Sequence, residues 1–263
     1  MNHGTVVIDH PRTLCDLHAQ RETPTTHPVD AGTIAAARGG RGRVPLPPRA
    51  LPLAWLGDVR GRRILCLGSS GGQLAPVLAA AGAEVTVFDL SEQHLALDRA
   101  VAAREGLRLQ AVQGDMRDLQ AFGHGSFDVV LHPVSNLFVP DVRPVWAECH
   151  RVLARDGVLL ASFFNPVLFV AAHDPQLAEQ GLMRPRYAIP YSDLDDLPVD
   201  ERQARQARGE PMIYGHSLGD LIGGQLDAGF VVERFMEDWQ PRPQVLIERY
   251  LPAFLATRAR RIG

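Results

Sequence analysis

The sequence predicts an α/β protein built on a doubly wound sheet of seven strands, parallel except for an antiparallel last strand. Three observations lead to this class. Five short apolar segments appear at 63–67, 84–89, 108–113, 126–131 and 157–164. Helical segments at 73–81, 91–104 and 143–153 intervene, and such alternation implies crossover connections between parallel strands. The closing segments "FVVERFME" and "QVLIERYLPAFLATRA" follow one another without a helix, which makes them antiparallel neighbours and brings the count to seven.

Taken in order, residues 1–60 are rich in Pro, Thr, His and Arg and read as an N-terminal arm or cap. The arm has one helical candidate, "DAGTIAAAR", followed by the irregular "GGRGRVPLPPRALP". Residues 61–263 form the main domain. Its helix 143–153 carries Trp146 at a spacing that packs the indole under the sheet. After the fifth strand, 165–215 break the pattern and read as an insertion of two short strands around a polar helix, placed to act as a lid. Regular structure resumes at "SLGDLIGGQLDAGF", where Ser217 and Asp220 form a capping box.

Composition removes several classes of function. A net charge of −3 gives no basic field for nucleic acid. All 27 basic residues are arginine, so chemistry that needs an ε-amine (Schiff bases, pyridoxal, Walker-type phosphate binding) is excluded. The 3 cysteines, Cys15, Cys66 and Cys149, are widely spaced without a CxxC or HExxH pattern, so no disulfide framework and no metal site is expected. The longest apolar run, "VLLASFFNPVLFVAAH", is broken by Asn165 and Pro166 and is too short to span a bilayer. With no apolar signal segment at the start, the expectation is a cytoplasmic protein without membrane partners, monomeric or homodimeric.

The informative stretch is "RILCLGSSGGQLAPVLAAAGAEVTVFDLS", a strand, a glycine-rich turn, a helix and a strand ending on an acid. Such a turn lets backbone amides and a helix N-terminus approach a ligand closely. A dinucleotide fingerprint starting at Gly68 needs glycines where Ser70 and Gln73 stand, so the spacing Gly68, Gly71, Gly72 argues against a pyrophosphate cradle. Asp89 ends the second strand and can accept from two ribose hydroxyls, a role that serves NAD and S-adenosylmethionine equally. The turn "QGDMRDL" then places Asp115, with Met116 beside it, at the same sheet edge, where a carboxylate can take an adenine amino hydrogen. "SFDVVLHPVSNLFVPD" carries the fourth strand into the cleft.

The set "ILCLGSSGGQ", "VTVFDLS", "QGDMRDL", "FDVVLHP" and "ECHRVLARDGVLLASF" resembles the class I S-adenosylmethionine-dependent methyltransferases, specifically the bacterial small-molecule type. The resemblance covers 62–165 and, more loosely, the closing segments. It implies a Rossmann-like domain, S-adenosylmethionine as cofactor, S-adenosylhomocysteine as product and a small-molecule acceptor. It also implies that Gly68, Ser69, Ser70 and Gly72 wrap the methionyl part and ribose. Asp89 would bind the ribose hydroxyls, Leu90 would pack on adenine, and Asp115 with Met116 would read the adenine edge. His132, Pro133 and Asn136 would face the sulfonium and acceptor. Two positions depart from the family's pattern: its acid two residues before the first glycine is Cys66, and its G-C-G is Gly68-Ser69-Ser70.

The expected activity is methyl transfer to an O, N or C atom of a small molecule. Two alternatives share the same site: cleavage or cyclisation of S-adenosylmethionine with release of methylthioadenosine, and cofactor binding without catalysis. The catalytic candidates are His132, whose ordinary pKa near 6.5 suits a general base, Asn136 and, from the insertion, Tyr191. His132 also counts among the cofactor-binding candidates.

Overall fold

The computed structural model describes residues 27–40, 53–68, 71–171 and 174–263. The expected cofactor residues Ser69 and Ser70 lie outside the described residues, as does Cys15. Strands β1 (Arg63–Leu67), β2 (Glu84–Asp89), β3 (Leu109–Gln113), β4 (Phe127–His132) and β5 (Leu153–Phe164) are followed by the short β6 (Tyr191–Ser192) and β7 (Tyr214–Gly215), then β8 (Phe230–Asp238) and β9 (Phe254–Arg261). Seven of them form one sheet in the order β3-β2-β1-β4-β5-β9-β8. The first five pair in parallel, whereas β9 pairs antiparallel with both β5 and β8. This is the doubly wound sheet with an antiparallel end that the alternation predicts.

The parallel strands are buried on both faces, which is why they read as near-continuous apolar runs. One face, through Leu65, Leu67, Val130, Leu159 and Phe163, packs on Trp146, Cys149 and Val152 of the helix Arg143–Val152. The other, through Ile64, Cys66, Val87, Leu131 and Leu160, packs on Leu74 and Leu78 of the helix Leu74–Ala80 and on Leu95 of the helix Glu92–Glu105. Each such side chain contributes roughly 1.5–3 kcal/mol by leaving water. Trp146 is fully buried, as its spacing predicts, and its Nε1 donates to the Asp220 carbonyl at 2.9 Å. A Cβ at Gly224 would come within 2.8 Å of the indole, so glycine there lets the helix close on it. The Asp220 carbonyl lies in the π-helical turn Gly219–Gly223, a widened turn whose carbonyl the indole occupies. Ser217 caps that helix, accepting the Asp220 amide at 3.1 Å and donating to the Asp220 carboxylate at 2.6 Å.

The described part of the arm is integrated into the domain. Asp30 caps the helix Ala31–Arg38 by accepting the Thr33 amide, and Ile34 and Ala37 pack on Val77 and Val101. In the insertion, β6 and β7 pair antiparallel around the polar helix Val199–Ala207, as expected. The last predicted strand needs correction, because 246–249 form a 3-10 turn and β9 starts only at Phe254. Val245 and Ile247 mimic a strand's alternation, but Glu248 folds back to accept the Gln244 and Val245 amides. Among the described residues, no helix is long and apolar enough to cross a membrane.

Candidate active site

The carboxyl ends of β3, β2, β1 and β4 lie side by side, where a doubly wound sheet opens its ligand crevice. β1 runs into Gly68, whose φ is +62° and whose amide donates to the Phe88 carbonyl at 2.9 Å. A Cβ there would lie 2.5 Å from Ser135 Oγ and 3.2 Å from Met116 Cε, so glycine is required by conformation and by space together. The loops after β1, β3 and β4 thus converge on one point. Ser135 Oγ is buried without a hydrogen-bond partner among the described residues.

Asp89, buried at the end of β2, accepts the Ser91 amide on Oδ1 at 2.9 Å, and the same oxygen lies 3.4 Å from His94 Nδ1. Neither contact uses Oδ2. Leu90 is half-buried, and its carbonyl accepts from Gln113 Nε2 at 3.0 Å. Asp115 sits beside them, but its carboxylate is already engaged: Arg117 supplies its backbone amide to Oδ1 and its guanidinium to both oxygens, at 2.6–3.1 Å. Burial pushes the Asp115 carboxyl up, the Arg117 bonds pull it down, and the net shift is downward. An adenine amino group at the expected place would have to share this carboxylate with Arg117.

One residue that sequence reasoning passed over supports the loop. Asp98, in the helix Glu92–Glu105, is 1% exposed and accepts the Gly72 amide on Oδ1 at 2.8 Å. Its Oδ2 is buried with no partner among the described residues, and burial raises its pKa to about 7. The described arm covers the same loop: the Val29 amide donates to the Gly72 carbonyl at 2.8 Å, and Gln73 Nε2 donates to the His27 carbonyl at 3.0 Å.

His132 departs from its expected role. Its parity with Val130 turns the ring to the Trp146 face of the sheet, where the two rings meet edge-on at 5.6 Å. Nδ1 lies 3.1 Å from the Leu67 carbonyl, which fixes it as the donor, and Nε2 is buried without a partner among the described residues. The ring is fully buried, and desolvation lowers its pKa to about 4. The argument from an ordinary imidazole near 6.5 therefore fails: this group is neutral and a weak base at neutral pH.

Asn136, 2% exposed, ties the loop after β4 to β5 by donating from Nδ2 to the Ser162 carbonyl at 2.8 Å. Its own carbonyl accepts from His216 Nε2 at 3.0 Å, which gives that buried histidine a structural place. Val134, two residues before Asn136, holds φ at +26°, a strained conformation for a β-branched residue at the cleft. Tyr191 is buried within the insertion and donates to Asp193 Oδ1 at 2.6 Å. Asp193 also accepts the Ile213 amide at 2.8 Å and pairs with Arg205 at 3.1 Å. Tyr187, not singled out in the sequence, lies 5.0 Å from Tyr191 ring to ring, and its hydroxyl is buried without a partner among the described residues.

Comparison with known proteins bears directly on this geometry. Residues 65–161 match the family model described as a methyltransferase domain. The Bacillus subtilis protein named "Uncharacterized methyltransferase YbaJ" is 41% identical over 254 residues, 96% of this chain and 98% of that protein. The "Ubiquinone biosynthesis O-methyltransferase" of Bordetella avium is 30% identical over 119 residues, 44% of this chain and 49% of its own length. The crystal structure of an S-adenosylmethionine dependent methyltransferase from Mesorhizobium loti shares the fold, with a TM-score of 0.63 at 23% identity over 80% of this chain and 95% of that one. The chain belongs to the methyltransferase family.

Proposed function

We propose that the crevice at Gly68, Asp89, Met116 and Ser135 holds S-adenosylmethionine and presents its methyl group to a small-molecule acceptor. One observation carries this reading. The Gly68 backbone, with no room for a Cβ, faces the orphaned Ser135 hydroxyl and Met116, next to a buried carboxylate with an uncommitted oxygen. Those features fit the cofactor: Asp89 Oδ2 would accept from the ribose diol, and Leu90 and Met116 would flank the adenine. Gly68 and Gly72 would hold the methionyl end, with the Ser135 hydroxyl toward it.

Bound there, S-adenosylmethionine supplies a methyl carbon on a cationic sulfur that is already reactive toward an O, N or C nucleophile. What the chain adds is alignment and exclusion of water. His132 holds the Leu67 carbonyl and so fixes where β1 hands over to Gly68. Asn136 fastens the loop that presents Ser135. Tyr191 and Asp193 brace the insertion beyond the sheet edge. These four are positioning residues in this reading.

Calorimetry tests the cofactor assignment, with S-adenosylmethionine and S-adenosylhomocysteine expected to bind and NAD not. A metabolite screen read by mass shift of 14 Da per methyl then tests the transfer, with S-adenosylhomocysteine appearing only when an acceptor is present. Methylthioadenosine formed from S-adenosylmethionine alone would overturn methyl transfer in favour of cofactor cleavage.

A further inference from the structure

Beyond β5 the chain builds a cavity of about 280 Å³ that none of the cofactor residues lines. This is the low end of the range for small-ligand pockets. Three segments enclose it. Leu168 comes from the 3-10 turn Pro166–Phe169, directly after β5, and Leu177 and Ala178 come from the helix Pro175–Glu179. Val245, Leu246 and Ile247 come from the turn before β9. The insertion closes the remaining side at 182–186, which is fastened to the first segment because the Arg186 and Tyr187 amides both donate to the Val170 carbonyl, at 2.7 and 3.0 Å. On the other side, Asn165 Nδ2 donates to the Pro252 carbonyl at 3.1 Å. The cavity is thus a built feature joined to the end of the catalytic sheet.

Its lining is of two kinds. The body is aliphatic, and Leu182 and Met183 stay 54% and 36% exposed over it, an apolar surface without cover. The mouth is cationic. Arg184 is exposed and has no ionic partner among the described residues, while Arg186 pairs with Glu201 at 3.5 Å and lies over the Tyr187 ring at 5.2 Å. Asp174 also lines the cavity; its Oδ1 accepts the Gln176 and Leu177 amides at the helix N-terminus, which offsets part of its negative charge. Buried Glu248, adjacent to Ile247, is spent on the Gln244 and Val245 amides. Among the described residues, Arg184 is the cation of the lining that has no ion pair, while the Asp174 anion is held by backbone amides.

We propose that this cavity is the acceptor pocket and selects an amphipathic anion: a compact apolar body seated among Leu168, Leu177, Leu182 and Val245, with an anionic head held by Arg184. The class of substrate follows from the pairing of an aliphatic slot with an unpaired guanidinium, which suits a carboxylate or phosphate head. That the bound anion is the methyl acceptor rests on the methyltransferase reading of the neighbouring crevice. Binding itself does not, so the two fail separately.

The test is calorimetry on the full chain with four probes sharing one eight-carbon tail: octanoate, octyl phosphate, octanol and octylamine. The anions are expected to bind at least 10-fold more tightly than octanol and octylamine, and the tighter of the two identifies the head group. Arg184→Gln is expected to weaken octanoate about 10-fold and to leave octanol unchanged, the loss expected for one charge-assisted hydrogen bond. Ala178→Trp, which fills the cavity, is expected to abolish both while the circular dichroism spectrum is unchanged. S-adenosylhomocysteine affinity, measured in the same samples, reports separately on the cofactor crevice. Equal binding of all four probes, or octanoate binding indifferent to both substitutions, overturns the proposal.

Discussion

Asp98 and Gly72, 26 residues apart, are joined by a 2.8 Å hydrogen bond from the glycine amide to a carboxylate that is 1% exposed. An acid on β1 would ordinarily steady such a loop, but Cys66 stands there, fully buried, with its thiol pushed up first by desolvation and then by the nearby Asp98. The carboxylate has moved from the strand to the facing helix.

The pH dependence of stability follows from that burial. Asp98 has a folded pKa of about 7, against an ordinary value of 3.8. Between those values the folded state keeps a proton that the unfolded chain has lost, so this group's contribution is complete below 3.8 and is lost as pH rises to 7. Desolvation is the main cause, opposed by the Gly72 bond and assisted by Asp89, with His94 and Arg99 lowering the value. Asp98→Asn retains an acceptor for Gly72 and removes the charge. Thermal melts are expected to show the variant stabilised at pH 8, by up to about 4 kcal/mol, and equal to the parent near pH 4. Parallel pH curves would refute the assignment.

His132 has the opposite sign. Its folded pKa of about 4 lies below the ordinary 6.5, so stability is full above 6.5 and falls as pH drops toward 4. His132→Gln, which keeps a donor for the Leu67 carbonyl, is expected to remove a slope worth roughly 3 kcal/mol between pH 6.5 and 4. Its turnover against pH is expected to keep the parent's shape. Loss of an inflection near neutrality in that profile would restore the histidine as a base.

Asp89→Ala is expected to weaken S-adenosylhomocysteine binding by about 1.5–3 kcal/mol, the range for a charge-assisted bond. Gly68→Ala adds about 1–2 kcal/mol of left-handed strain and a contact with Ser135 Oγ at 2.5 Å. Pairing it with Ser135→Gly should recover only the part due to contact. Calorimetry on the three variants checks both statements, and unchanged affinity in Asp89→Ala would sink the ribose assignment.

Tyr191→Phe removes one donor from the buried Asp193 carboxylate and leaves those of Ile213 and Arg205. The expected cost is about 1.5–3 kcal/mol in stability, read as a lower melting temperature with the rate of methyl transfer nearly kept. A variant that melts normally but turns over slowly would mean that the hydroxyl acts on substrate.

The sheet was legible because its parallel strands are buried on both faces and so stand out as apolar runs, and because Gly68, Asp89 and Asp115 mark strand ends. The direction of side chains at those ends was not legible. Period two puts His132 on the same face as Val130, but nothing in the sequence tells which face carries Trp146. Asp98 was missed because an acid within a polar helix reads as solvated, and its partner glycine is distant in sequence. Ser135 was missed for a related reason: a serine in a loop carries no signal until Gly68 packs against it. The arm's helix was read from the stretch "DAGTIAAAR", yet its seat on the glycine loop depends on the Val29 amide, a backbone contact that no side-chain pattern encodes.

The place of β9 between β5 and β8 has a consequence for synthesis on the ribosome. β8 emerges before β9, yet it can join the sheet only after β9 has docked on β5 from Val158 through Phe164. Until then the nascent chain carries an unpaired apolar strand edge, the kind of surface that recruits a second copy or a chaperone. Slower translation between β5 and β9 would prolong that exposure, and codon choice across those residues would therefore change the yield of soluble protein without changing a single amino acid.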